Sequence, residues 1–295
     1  MTRGRSFLLH GGLVYAALVW GATFILVKDA LSGVHPVALV GWRFLAAALC
    51  LLPFALRKPE PWRLLKEGAT LGALLVALYV SQTTGLLYTS ASNSGFITGG
   101  FILFVPPTMY FYAKETPNLG HWASVLLALC GLWLVTGGIQ GINKGDAMTL
   151  IAAATYTAHV FATDRYVRAD ADFVLLAFHQ FWITGAACLL GGLLLGIPLT
   201  VTTPRSAWAI LFLTLVPTLS AYYVQMVAQK EVKPLTVSLI FALEPLFAAL
   251  FAWTLGGEAF RPMGALGGAL IVAAIMLGEL SRLPLLRRDK DLLPI

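Results

Sequence analysis

A carboxylic acid followed directly by proline is the most chemically pointed feature of this 295-residue sequence. Glu244-Pro245 lies about ten residues into an apolar run that begins near Leu235, hence about 15 Å deep at 1.5 Å per helical residue. Proline lacks a backbone N–H and breaks or kinks a helix, which frees carbonyl groups beside it. Ionisable groups within apolar runs are costly and are kept where they face a partner or a watery interior. Glu244 is therefore a candidate coupling site for a proton or a cation, with a helix-tying carboxyl as the alternative. Two basic residues share this logic. Arg43 sits inside the second apolar run and needs a partner, which Glu244 can supply as an ion pair, or else must snorkel. Lys28 closes the first run and is expected to snorkel or to help seal one end.

Polar-edged aromatics and amides form a second set well inside apolar runs: Trp20, Tyr79, Gln82, Phe101, Tyr156, His159, His179, Trp182, Tyr222 and Gln225. Trp and Tyr offer a flat apolar face with one polar edge, which suits an amphipathic small molecule. This set is the expected substrate contact surface, against the plainer alternative that each residue only packs the core.

The elements that must carry these residues follow from composition. The apolar set makes up 58% of the chain and charged residues 12%, against about 45–50% and about 25% in soluble domains. That excludes a soluble globule and a disordered chain. A hydrocarbon layer about 30 Å thick needs about 20 apolar residues per helix. That ruler predicts an all-α integral membrane protein with ten transmembrane helices. Their approximate ranges are 8–31, 36–56, 68–87, 91–112, 121–138, 146–163, 173–195, 207–229, 235–255 and 262–280.

Ten spans put both termini on one side. Fifteen of the 20 Lys and Arg residues then fall on that side, Lys28, Lys144, Arg205 and Arg261 fall on the other, and Arg43 lies within a span. Positive charge is retained in the cytoplasm, so both termini are expected there, in an inner or plasma membrane. The net charge of +6 is thereby assigned to topology and not to nucleic acid. Cys50, Cys130 and Cys188 all lie in apolar runs and are expected to be buried thiols. Glycines four apart, such as Gly68/Gly72 and Gly264/Gly268, are expected to let helices approach closely. Pro106-Pro107 and Pro217 mark further expected hinges.

The two halves resemble each other weakly. Residues 36–44 resemble residues 172–180, 136 positions on, and the same offset places Trp20 on Tyr156. Lys114-Glu115 aligns with Gly257-Glu258 at an offset of 143. An odd number of helices forces the second copy to enter the membrane from the opposite face. The expectation is therefore two inverted five-helix repeats, 1–140 and 141–281, with a basic cytoplasmic tail at 282–295. Such repeats can open their interface to one side and then the other around a site near the midplane.

Several segments also carry a family resemblance. They are Leu18-Val19-Trp20-Gly21-Ala22-Thr23-Phe24, His35-Pro36 through Trp42-Arg43-Phe44, Thr89 to Phe96, Leu243-Glu244-Pro245, Gly256-Gly257-Glu258 and Gly264 to Ile271. In this order they resemble an EamA-type member of the drug/metabolite transporter superfamily, over nearly the whole chain. One departure is Ala113-Lys114-Glu115, where that resemblance implies a Gly-Glu pair. The resemblance implies a transporter that exports amino acids, other metabolites or drugs.

No nucleotide-binding Walker loop, H-E-x-x-H or G-x-S-x-G motif occurs. The sequence therefore predicts a non-enzyme with no cofactor and no metal. Its expected partners are the lipid bilayer, a small-molecule substrate and a coupling proton or ion; a monomer and a homodimer both remain open. The rival readings are a sugar-nucleotide or lipid-intermediate carrier of the same fold, and a non-transporting membrane enzyme or partner protein.

Overall fold

The computed structural model describes residues 2–89, 91–112, 114, 116–138, 143–254, 260 and 262–280. Among these the regular structure is helical, with no strand. In a bilayer interior each backbone polar group must be satisfied within its own segment, and the helix is the form that does so without an edge.

The first part of the chain contains α1 (Arg3–Ala30), α2 (Pro36–Leu56), α3 (Leu65–Gly85), α4 (Ala91–Gly99), a 3-10 stretch (Gly100–Phe104), α5 (Val105–Phe111) and α6 (Leu119–Thr136). The second contains α7 (Lys144–Arg168), α8 (Phe173–Leu194), α9 (Pro204–Leu213), a π-helical stretch (Thr214–Ser220), α10 (Ala221–Gln229), α11 (Pro234–Phe241), α12 (Glu244–Thr254) and α13 (Pro262–Leu280). Starts are written locally. Proline occupies a first-turn position in α2, α9 and α11, where its missing N–H costs nothing. Asn143 and Asp146 form a reciprocal capping box on α7, and Asp172 accepts from Val174 and Leu175 to cap α8. Gly137 ends α6 in the left-handed region at φ 79°, which glycine adopts without steric cost.

Among the described residues, six stretches are long and apolar enough to cross a membrane: Gly4–Ala30, Pro36–Leu56, Ser94–Phe111, Phe173–Leu194, Pro204–Gln229 and Pro234–Phe251. Leu119–Val135 and Pro262–Gly278 are shorter apolar helices. Neither α3 nor α7 reaches that apolarity, because both spend positions on inward polar side chains such as Tyr79, Gln82, Tyr156 and His159.

The main interfaces join the two parts of the chain: α6 with α13, α2 with α8, α3 with α7 and α8, and α1 with α10 and α12. At the first of these Gly131 and Gly267 face each other so closely that a Cβ on either would meet the other's carbonyl oxygen. Gly68 is pressed against His179, with no room for a side chain. That matches the close approach expected of small residues.

The cysteine expectation needs correction. Cys188 is buried, but Cys50 and Cys130 are exposed. An apolar run marks contact with lipid as readily as contact with core, so location in such a run does not assign burial.

Candidate functional site

Polar contacts define the two ends of the bundle. At the end where α1 starts, Arg5 pairs with Glu231, Lys58 with Asp172 at 2.6 Å and Lys230 with Asp170 at 2.5 Å. At the opposite end Arg205 pairs with Asp29 at 2.6 Å. There too Lys28 donates to the Thr89 carbonyl at 3.3 Å, and the Thr89 hydroxyl donates to Asp146 at 2.5 Å. Lys28 thus ties α1 to the α3–α4 connection. Outside the spans, burial alone would raise the Asp172 carboxyl. The Lys58 hydrogen bond and charge, with the Leu175 and Val174 N–H groups, together hold it below its ordinary value.

Between these ends lies a small void of about 30 Å³, bordered by Trp20, Thr23, Phe24, Leu78, Tyr79, Gln82, Thr98, Tyr156, Tyr222 and Glu244. That is far below the about 300–1,000 Å³ of small-molecule sites, so this conformation has room for water there and not for an organic solute. The lining comes from α1, α3, α4, α7, α10 and α12.

Glu244 reaches this void because the chain breaks at Ala242-Leu243 between α11 and α12. Glu244 opens α12, and Pro245 sits in its first turn, where no N–H is required. The Glu244 carboxyl is 6% exposed and accepts the Tyr156 hydroxyl at 2.6 Å. Among the described residues no cation pairs with it.

The expected Arg43–Glu244 ion pair does not form. Arg43, 2% exposed, donates from Nε to Thr218 Oγ1 at 2.6 Å. Its guanidinium lies 4.6 Å from the Tyr79 ring centroid and 5.1 Å from that of Phe44, a cation–π arrangement. Its Nη2 is buried without a hydrogen-bond partner. The physical reason is placement: Arg43 faces the π-helical stretch behind Tyr79, while Glu244 is engaged by Tyr156 on the cavity side.

Trp20 is the hub of the aromatic lining. Its indole packs edge-on to Phe241 at 4.9 Å, Tyr222 at 5.4 Å and Tyr156 at 6.4 Å. Its N–H donates to the Pro217 carbonyl at 2.9 Å. The Tyr222 hydroxyl donates to the Tyr79 hydroxyl at 2.9 Å, and Gln82 donates to Thr98 at 3.0 Å.

Five candidates stand behind or away from the void. Phe101 backs it, packed against Tyr156 at 4.6 Å. His159 is buried behind Tyr222 at 5.8 Å and hydrogen-bonds Gln180 at 3.0 Å. His179 turns toward the α2–α3 connection, where its Nε2 lies 3.0 Å from the Pro61 carbonyl, and its Nδ1 accepts from Trp182 at 3.0 Å. Pro245 packs toward Gly99.

Sequence reasoning placed a hinge at Pro217 but not its form. The missing N–H there lies in a π-helical stretch, and Thr218 bonds back to the Leu213 carbonyl five residues earlier at 2.7 Å. A proline flanked by Thr214 and Thr218 was the available signal. Thr23 and Thr98, which also line the void, carried no signal of their own. Glu115, Glu258, Arg261 and the tail at 282–295 lie outside the described residues.

A helical membrane protein with a polar-edged aromatic void at the junction of its two parts has the architecture of a small-solute carrier. The EamA-like transporter family model matches residues 10–137 and again residues 143–278, and the chain belongs to that family. Membership places it among multi-pass membrane transporters and not among enzymes. It is similar to an uncharacterized transporter of Archaeoglobus fulgidus, 30% identical over 276 residues, covering 91% of this chain and 85% of that one. It is also similar to the uncharacterized inner membrane transporter YedA of Escherichia coli, 24% identical, covering 93% and 91%. One solved protein crystal structure superposes with a TM-score of 0.77 at 19% identity, covering 97% of this chain and all of that one. This last likeness concerns the fold.

Proposed function

We propose that the protein is a secondary-active transporter that exports a small organic metabolite by alternating access between two inverted five-helix repeats, 1–140 and 141–281. Ten spans are assigned by joining α4 with α5, α9 with α10 and α11 with α12. Both termini are then cytoplasmic. Two matches to one family model support duplication. Inversion is supported by packing: α6 lies against α13, and α2 against α8, each pair antiparallel, with Gly131 opposite Gly267 and Gly185 opposite Leu45. Exchanging each helix for its counterpart leaves the interfaces unchanged, since α3 against α7 becomes α10 against α1.

The observation that carries the reading is the Tyr222–Tyr79 hydroxyl contact at 2.9 Å. These tyrosines are 143 positions apart, the offset already seen near the ends of the fourth spans, and they meet at the floor of the void. Substrate contact is assigned to Trp20, Tyr79, Gln82, Tyr156 and Tyr222, an aromatic cage with hydroxyl and amide edges. That surface suits an amphipathic molecule such as an amino acid or a drug-like amine. Glu244 is the coupling group. A buried carboxyl that lacks a cationic partner is stable in lipid only with a proton or a bound cation, so exchanging that partner is a means of coupling.

The test is a thermal-shift screen of amino acids and amphipathic amines on purified protein. It is followed by flux of the stabilising compound in proteoliposomes under an imposed pH gradient. Wild-type flux should respond to the gradient and Glu244→Gln flux should not. Equal, gradient-driven flux in both would remove Glu244 from coupling.

A further inference from the structure

Three buried polar atoms without partners lie at one junction: Thr163 Oγ1 on α7, Gln180 Nε2 on α8 and Gln225 Oε1 on α10. Their residues are at most 1% exposed. The junction is continuous. His159, one turn from Thr163, hydrogen-bonds Gln180 at 3.0 Å. Gln225 donates to Gln229 at 2.8 Å, and Gln229 donates to the Val160 carbonyl at 2.8 Å. Buried donors and acceptors left open together at one place are what internal water satisfies.

The helical spacing gives this junction a direction. Tyr156, His159 and Thr163 share one face of α7, and Tyr222, Gln225 and Gln229 share one face of α10. Both faces start at the void and run toward the end of the bundle where α1 begins. At the repeat offsets of 136 and 143, His159 corresponds to Thr23 and Gln225 to Gln82. Thr23 and Gln82 line the void in this structure, on its other side. Thr163 and Gln229 correspond to Val27 and Leu86, and both of those are apolar core. The two sides of the void therefore differ: one is backed by hydrocarbon, the other by amides and hydroxyls.

We propose that Thr163, Gln180 and Gln225 form a buried water-binding site that is the closed half of the transport route, leading from the void to the end of the bundle that bears the N-terminus. This deepens the transport reading and rests on it. When the halves rock, water already held there becomes the lining of the opened side.

The test is cysteine modification in proteoliposomes oriented by protease access to an N-terminal tag, with Cys50, Cys130 and Cys188 replaced by alanine. The probe is the membrane-impermeant thiol reagent methanethiosulfonate ethyltrimethylammonium, applied to each face separately. Thr163→Cys, nearly isosteric, and Gln225→Cys should react from the N-terminal face about tenfold or more faster than Val237→Cys, a fully buried apolar position, as expected of a transiently opened state. Thr98→Cys should react from the opposite face. If Thr98→Cys reacts while Thr163→Cys and Gln225→Cys match Val237→Cys, the water route is overturned and the transport reading stands. If Thr98→Cys reacts from neither face, the transport reading fails and takes the route with it.

Discussion

Tyr222 and Tyr79 touch hydroxyl to hydroxyl at 2.9 Å, and each is held from behind by the same group of side chains. Phe44 packs on both, at 5.1 Å from Tyr79 and 6.4 Å from Tyr222, while the Arg43 guanidinium covers Tyr79. The hydroxyl pair joins α3 to α10 at the edge of the void.

Removing either hydroxyl should weaken that joint. Tyr79→Phe and Tyr222→Phe are each expected to cost about 1 kcal/mol, the net worth of a buried hydrogen bond. The double variant should cost less than the two singles added, because both delete one contact. Thermal melts in detergent check this, and strict additivity would show that the two hydroxyls do not interact.

Tyr156 tests the coupling group from its other side. Tyr156→Phe keeps the ring packing on Trp20 and Phe101 but takes the hydroxyl from Glu244. Leaving a buried partner unsatisfied costs about 1–3 kcal/mol. Flux of the compound found by thermal shift should fall severalfold while its dependence on the pH gradient persists. Gradient dependence lost as completely as in Glu244→Gln would move the coupling role onto the pair.

Arg43 is predicted to be irreplaceable by lysine. Its planar group stacks on Tyr79 and donates sideways to Thr218, and an ammonium cannot do both. Arg43→Lys should lower stability by about 1–3 kcal/mol, read as a shift in melting temperature. Thr218→Val should give a smaller change in the same direction. An unshifted Arg43→Lys melt would mean that neither contact contributes.

Acid should act first at the α2–α8 end. The Asp172 carboxyl is held below its ordinary value in the folded protein, so it contributes stability fully above its unfolded value of about 3.9. That contribution is lost as pH falls through the lower, folded value. Asp172→Ala, which also removes the α8 cap, should cost about 0.5–2 kcal/mol at neutral pH. The difference from wild type should shrink toward pH 3, as followed by melts between pH 7 and pH 3. A constant difference would assign the whole effect to the cap geometry.

Much of this arrangement was legible in the residues. The apolar run lengths gave the helices, and the Glu244-Pro245 pair gave the break that brings a carboxyl to the void. Trp20, Tyr79, Gln82, Tyr156 and Tyr222 were identifiable as polar-edged residues within spans. What failed did so because one-dimensional position leaves rotation about the helix axis undefined. Arg43 and Glu244 looked like partners but face different neighbours. His179 and Trp182 lie at plausible depth, yet α8 turns them toward Pro61. Cys50 and Cys130 face outward for the same reason. The π-helical stretch was illegible beyond its proline, because the wider turn depends on where Arg43 and Trp20 draw Thr218 and the Pro217 carbonyl.

The bare contact between Gly131 and Gly267 sets a mechanical boundary condition. Two main chains in direct touch leave no compressible cushion of side chains between them, so α6 and α13 can pivot against each other but gain nothing by drawing apart. The same bare touch recurs between Gly85 of α3 and Gly145 of α7, so any dilation of the central space must be generated where side chains intervene, as between Trp20 of α1 and Tyr222 of α10.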